Sequence, residues 1–189
     1  MILRSGSVFA RRRFLALSGA ALSSACAATS QSGSSTAPRA GAGTPPDFEL
    51  STLAGGHERL GDHLGKRVVL VDFWATFCEP CLLALPNLDA LYRTRKDRGF
   101  VVLGVSIDEA SNASRVRAEV SKLDLSFPIL LDQDTRVIAL YNPRATAPYS
   151  VLIGRDGRIL RRQEGYTAGD RDALEKAIDQ ALETKPAGG

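Results

Sequence analysis

Cys78 and Cys81 stand two residues apart in the segment Trp74-Ala75-Thr76-Phe77-Cys78-Glu79-Pro80-Cys81. Two thiols at that spacing can close and reopen a disulfide, or supply half of a metal site. Structural zinc takes about four ligands, usually completed by a second Cys or His pair. The chain holds three cysteines and two histidines. The third cysteine, Cys26, lies near the N-terminus, and His57 and His63 share one Gly-rich segment. Redox chemistry is the expected role, with zinc binding as the alternative.

The flanking sequence supports redox. The apolar run Val68 to Phe73 reads as a buried strand. Beyond the pair, Leu82, Leu85, Leu88, Leu91 and Tyr92 recur at the spacing of one helix face. The pair therefore falls where a strand ends and a helix begins, the setting of a CxxC redox motif. Cys78 is then at the helix N-terminus, where unpaired N–H groups and the helix dipole favour a thiolate. Cys81 lies one turn further on, placed to resolve a mixed disulfide. Pro80 suits a first turn, where its missing N–H would have had no partner. Glu79 opposes a thiolate at Cys78, or is merely a solvated first-turn acid. As a feature of the site it fits a reductant better than a strong oxidant.

Asp72 interrupts the apolar strand. A buried carboxylate is costly unless paired or protonated. One reading gives it a hidden partner, Lys66 or an arginine. The other makes it a buried acid with a raised pKa, close to Cys81, that takes the Cys81 proton through water.

The rest of the domain alternates. Strands are expected at Phe100 to Ile107 and Phe127 to Leu131. Helices are expected around Val116, Val120 and Leu123, with Ser111 or Asn112 as cap, and over Asp134 to Tyr141. Tyr149 to Ile153 and Arg158 to Gln163 read as strands joined through Asp156-Gly157, a hairpin signal. A last helix carries Leu174, Ala177, Ile178, Ala181 and Leu182 on one face. The expected class is α/β, a mixed central sheet flanked by helices.

Val69-Leu70-Val71-Asp72-Phe73-Trp74-Ala75, Cys78-Glu79-Pro80-Cys81 and Pro86 resemble thioredoxin almost position by position. Pro46-Asp47-Phe48-Glu49-Leu50 and Leu64-Gly65-Lys66-Arg67-Val68 resemble the TlpA/ResA-like branch of that superfamily, as does an extra strand and helix after Phe100. The resemblance implies a thioredoxin fold with that insertion. It also implies an exported, membrane-tethered thiol–disulfide oxidoreductase that reduces protein disulfides. Such a protein is re-reduced by a membrane electron donor, needs no bound cofactor and is expected to be a monomer. Asp72 matches the proton-handling Asp of thioredoxin. Thr146-Ala147-Pro148-Tyr149 occupies the place of the cis-proline loop, which faces the cysteines and pairs with substrate. Trp74, Phe77, Glu79, Pro80, Ala147 and Pro148 are the expected substrate-binding residues, with Trp74 in a supporting role. Two departures weaken transfer of the branch's cytochrome c maturation role. Ala84 stands where many members have Glu, and Asp72 where many have Asn. Phe77 also replaces a frequent Trp, which removes an indole donor but keeps an apolar rim.

Arg4 and Arg11-Arg12-Arg13 precede the apolar stretch Phe14 to Ala25, as in an export signal. The stretch is short for a membrane span, which needs about 20 residues. The arginines also resemble a twin-arginine motif, and Sec and twin-arginine export both stay open. Leu22-Ser23-Ser24-Ala25-Cys26 resembles a lipobox, on which reading Cys26 is acylated. The alternative is ordinary cleavage near Ala25 or Ala28. Residues 27–46 are rich in Ser, Ala, Gly, Thr and Pro and read as a flexible tether to a domain over 47–189. Four of the 24 basic residues lie in the first 26 positions, and no acid precedes Asp47. The remainder carries 20 basic against 21 acidic residues, a net charge of −1, which gives no reason to expect nucleic-acid binding.

Two other functions use related scaffolds. A thiol peroxidase needs a Pro-x-x-x-Thr-x-x-Cys setting, but Thr76 precedes Cys78 by only two residues and the proline is absent. A copper chaperone uses wider cysteine spacing and a distal His, and no histidine follows His63.

Overall fold

The structure is a computed structural model that describes residues 43–167 and 169–184. Cys26, the signal and residues 27–42 of the expected tether lie outside the described residues.

The chain opens with a hairpin, β1 (Glu49–Ser51) and β2 (His57–Arg59), which the sequence reading did not anticipate. β3 (Val68–Trp74) leads into α1 (Glu79–Arg95), and β4 (Phe100–Ser106) into α2 (Ala113–Lys122). β5 (Ile129–Leu131), α3 (Arg136–Tyr141), β6 (Tyr149–Ile153), β7 (Ile159–Glu164) and α4 (Asp170–Glu183) complete it. The main sheet runs β5-β4-β3-β6-β7. β3, β4 and β5 are parallel, whereas β6 and β7 run antiparallel to their neighbours. β3 and β4 are buried along their whole length because helices cover both sheet faces, which is why they read as unbroken apolar runs.

Two boundaries depart from expectation for local reasons. β5 begins at Ile129 rather than Phe127, because Pro128 cannot donate to the ladder; its carbonyl accepts from Gly104 N–H at 3.0 Å. Asn112 is the residue before α2, but its side chain makes no capping bond, and Ser111 lies in a 3-10 turn.

Two faces of the sheet divide the work. Phe73 points to one side, where its ring meets Tyr141 of α3 at 5.5 Å and Tyr149 at 6.3 Å. Asp72, its neighbour, points to the other side, as strand alternation requires. That face is covered by α1 and α4, which Arg95 joins by donating to Asp179 and to Glu175.

Candidate active site

β3 delivers the chain to the site and Asp108 turns it. The buried Asp108 carboxylate accepts from Thr76 N–H at 3.0 Å, from the Thr76 hydroxyl at 2.6 Å and from the Ser106 hydroxyl at 2.9 Å. This fixes the loop between β3 and α1. Cys78 follows as the N-cap of α1, with φ −99° and ψ 92°, and its Sγ accepts from Cys81 N–H at 3.3 Å. A sulfur held there faces free helix N–H groups and the positive end of the dipole, which stabilises a thiolate. The two sulfurs form a disulfide of 2.03 Å. Cys78 is 8% exposed and Cys81 2%, so Cys78 is the more accessible residue even in the closed pair.

The Ala147–Pro148 peptide bond is cis, and both residues are half-buried. Pro148 and Cys81 line one small cavity together with Asp72. Its outer wall includes Ser150 of β6, Arg161 and Gln163 of β7 and Asp170 of α4. The cavity holds about 30 Å³, above the roughly 10–15 Å³ that one water needs. A water-mediated path between Asp72 and Cys81 therefore fits the space.

Asp72 has no ion-pair partner among the described residues. Lys66, the partner considered from sequence, instead donates to the Asp62 carbonyl. Burial alone pushes the Asp72 carboxyl up to about 7. Asp72 pairs in register with Gly104 of β4, which offers no side chain to it. A Cβ at Gly104 would meet the Phe127 ring at 2.6 Å, so none fits.

The expected substrate-binding residues do not all reach the surface. Phe77 is 71% exposed, and Glu79 and Pro80 are exposed beside it. Trp74 is the correction. It has no exposed surface, because it is the last residue of a strand covered on both faces, so it packs under the site and cannot touch a substrate. Leu83, 66% exposed two residues after Cys81, is a second exposed apolar side chain and lines a surface groove with Pro80; the sequence reading missed it. It also missed Asp108, Arg161 and Gln163. The outward position of Leu83 was readable in principle, since it falls off the Leu82, Leu85, Leu88 face. No local signal marked the other three.

Among the described residues, no cluster of three or more His, Cys, Asp or Glu side chains could hold a metal ion, and no helix is long and apolar enough to cross a membrane.

A parallel core with two antiparallel strands added, a cysteine pair opening the first long helix and a cis-proline beside it together define a thioredoxin-fold protein. The match extends to sequence. Residues 43–162 fit the model of the AhpC/TSA family, and the chain belongs to that family. Thiol-disulfide oxidoreductase ResA of Geobacillus kaustophilus is 36% identical over 116 residues, covering 61% of this chain and 64% of the relative. A ResA of Bacillus cereus is 34% identical over 117 residues, covering 62% and 65%. The chain thus spans just under two thirds of these curated relatives. A solved structure from Chlorobium tepidum, assigned as thiol:disulfide interchange protein DsbE, matches with TM-score 0.69 at 30% identity. That match covers 75% of this chain and 97% of the other.

Proposed function

We propose that this protein is a thiol–disulfide oxidoreductase of the cell envelope that reduces protein disulfides. The observation that carries the reading is the shared cavity of Asp72 and Cys81 behind an N-cap Cys78. The Cys78 thiolate attacks a substrate disulfide, forms a mixed disulfide and expels one substrate thiolate. Ionised Asp72 takes the Cys81 proton through the cavity. Cys81 then attacks Cys78 Sγ, closes the internal disulfide and releases the second substrate thiolate. The substrate gains two electrons and the protein loses two, so no further cofactor is required. A membrane thiol donor restores the reduced pair. Phe77, Leu83 and Pro80 supply an apolar rim for an unfolded or extended substrate, and the Ala147–Pro148 loop lies beside the attacked bond.

The names of the ResA relatives agree with this chemistry. The AhpC/TSA description keeps a thiol peroxidase in view, although Thr76 spends its hydroxyl on Asp108. Cys81→Ser should trap a mixed disulfide with a protein partner through Cys78. Failure to trap any partner, together with rapid hydrogen peroxide consumption by the wild type, would reverse the choice.

The proposal extends to the N-terminal region: an export signal over 1–26, lipidation of Cys26, a tether over 27–46 and a monomeric domain outside the cytoplasm. Its support is the sequence alone, the Ala25-Cys26 junction and the tether composition. Cys26→Ser should move the protein out of the membrane fraction or block its maturation. An unchanged membrane protein of unchanged size would refute the lipid anchor.

A further inference from the structure

Asp72 has to be ionised to accept the Cys81 proton. A carboxylate ionised in a buried cavity with room for little more than a water needs a countercharge. The surrounding elements offer few. β4 contributes Gly104, with no side chain and no room for one. β6 contributes Ser150, and α1 contributes Cys81 among apolar residues. The loop after β7 contributes Tyr166, whose hydroxyl accepts from the Asn87 side chain at 3.1 Å. α4 contributes Asp170, a like charge. Arg161 of β7 is the one cationic side chain in the cavity wall among the described residues.

Its placement follows from the sheet. Asp72 pairs with Ser150, and Ser150 with Gln163. Arg161 lies two residues from Gln163 and so shares its face. The guanidinium is already engaged. It donates to Gln163 Oε1 at 2.8 Å and lies 3.8 Å from Asp170. Asp170 is fixed in turn by the Thr167 N–H and hydroxyl, both at 2.7 Å. In the closed-disulfide state, then, the cation is held at the cavity wall by Asp170, and burial alone acts on the Asp72 carboxyl.

We propose that Arg161 is the countercharge to the ionised, proton-accepting form of Asp72, and that Asp170 competes for the same guanidinium. Arg161 touches neither substrate nor the reacting sulfurs, so it is a positioning residue. This inference rests on the reading of Asp72 as the proton acceptor. It makes two substitutions at one ion pair act in opposite directions. Without Arg161 the ionised form of Asp72 is disfavoured, and resolution requires higher pH. Without the Asp170 charge the guanidinium is free to turn inward, and resolution proceeds at lower pH.

The test is the rate of Cys81-dependent resolution of a preformed mixed disulfide, followed by stopped flow across pH. Arg161→Met should move the midpoint up by about one pH unit, the lower end of the effect of an opposite charge nearby. Asp170→Asn should move it down. Arg161→Lys, which keeps a charge, should restore most of the wild-type profile. In the Arg161→Met background, Asp170→Asn should lose its effect; a persisting shift would mean direct repulsion between the two acids and would overturn the competition. Cys78 alkylation in each variant controls for damage to the nucleophile. If Asp72→Asn leaves the resolution profile unchanged, the reading of Asp72 itself fails. If Asp72→Asn abolishes the pH dependence while Arg161→Met leaves the midpoint in place, only the role of Arg161 fails. Since Arg161 is part-exposed, its truncation should not unfold the protein, and a denaturant titration checks that.

Discussion

Thr76 and Asp108 lie 32 residues apart in sequence and are joined twice, through the Thr76 N–H and the Thr76 hydroxyl to one buried carboxylate. The end of β4 thereby sets the loop that presents Cys78. The disulfide-forming geometry is held from behind, by a group with no part in the electron transfer.

Asp108→Ala would leave the Thr76 N–H and hydroxyl without acceptors in a buried site. The expected cost is about 2–4 kcal/mol of folding stability, read by denaturant titration, with slower reduction of a protein disulfide. Asp108→Asn keeps an acceptor and should lose less on both measures. A stability loss with unaltered turnover would show that the brace does not position Cys78.

Asp72 makes stability depend on pH with a definite sign. Burial raises its carboxyl from 3.8 to about 7. Between about pH 4 and pH 7 the unfolded chain has released a proton that the folded protein still holds, so stability falls as pH rises through that window. Above pH 7 the whole penalty is in place, at most about 4 kcal/mol. Asp72→Asn should therefore be more stable than the wild type at pH 8, with the gap closing on acidification to pH 4. Denaturant titrations of the two oxidised proteins across this range provide the measurement. A variant less stable than the wild type at pH 8 would indicate a structural partner for the carboxylate.

Phe77 faces solvent beside the disulfide, so its contribution should appear in binding and not in folding. Phe77→Ser should change stability by less than about 0.5 kcal/mol. It should raise KM for a protein disulfide by roughly five-fold, about 1 kcal/mol, and leave reduction of a small disulfide unaltered. Equal effects on both substrates would place Phe77 in the chemistry instead of the docking surface.

The parts of the fold that were legible in sequence are those with a local period or a local turn. The β3 run, the leucines of α1 and the Asp156-Gly157 turn between β6 and β7 each declare themselves within a dozen residues. The β1–β2 hairpin does not. Its strands have three residues each, too few for alternation to register, and its turn rests on Gly55 and Gly56 at positive φ. Within the site, the cysteines and Asp72 stood out because their residue types conflict with their surroundings. Asp108 and Arg161 did not, because acids and arginines are ordinary on a surface. Only the sheet, which brings the ends of β3 and β4 together and lines up β3, β6 and β7, shows that Asp108 is buried and that Arg161 lines the cavity of Asp72. Trp74 differs from expectation for the converse reason. The resemblance put it among the substrate-binding residues, whereas the strand's last residue still faces the interior.

Gly104 has a consequence for how this sequence can change. Its backbone would tolerate any residue, but the Phe127 ring fills the space where a side chain would start. The two positions are therefore coupled: a long basic residue beside Asp72 on β4 is out of reach until Phe127 has first become smaller. A lineage or a designer seeking to hold this acid permanently ionised must pass through a chain with a hole in its core. The open route to tuning the acid runs instead along the β7 edge, where Arg161 already lines the cavity and is part-exposed.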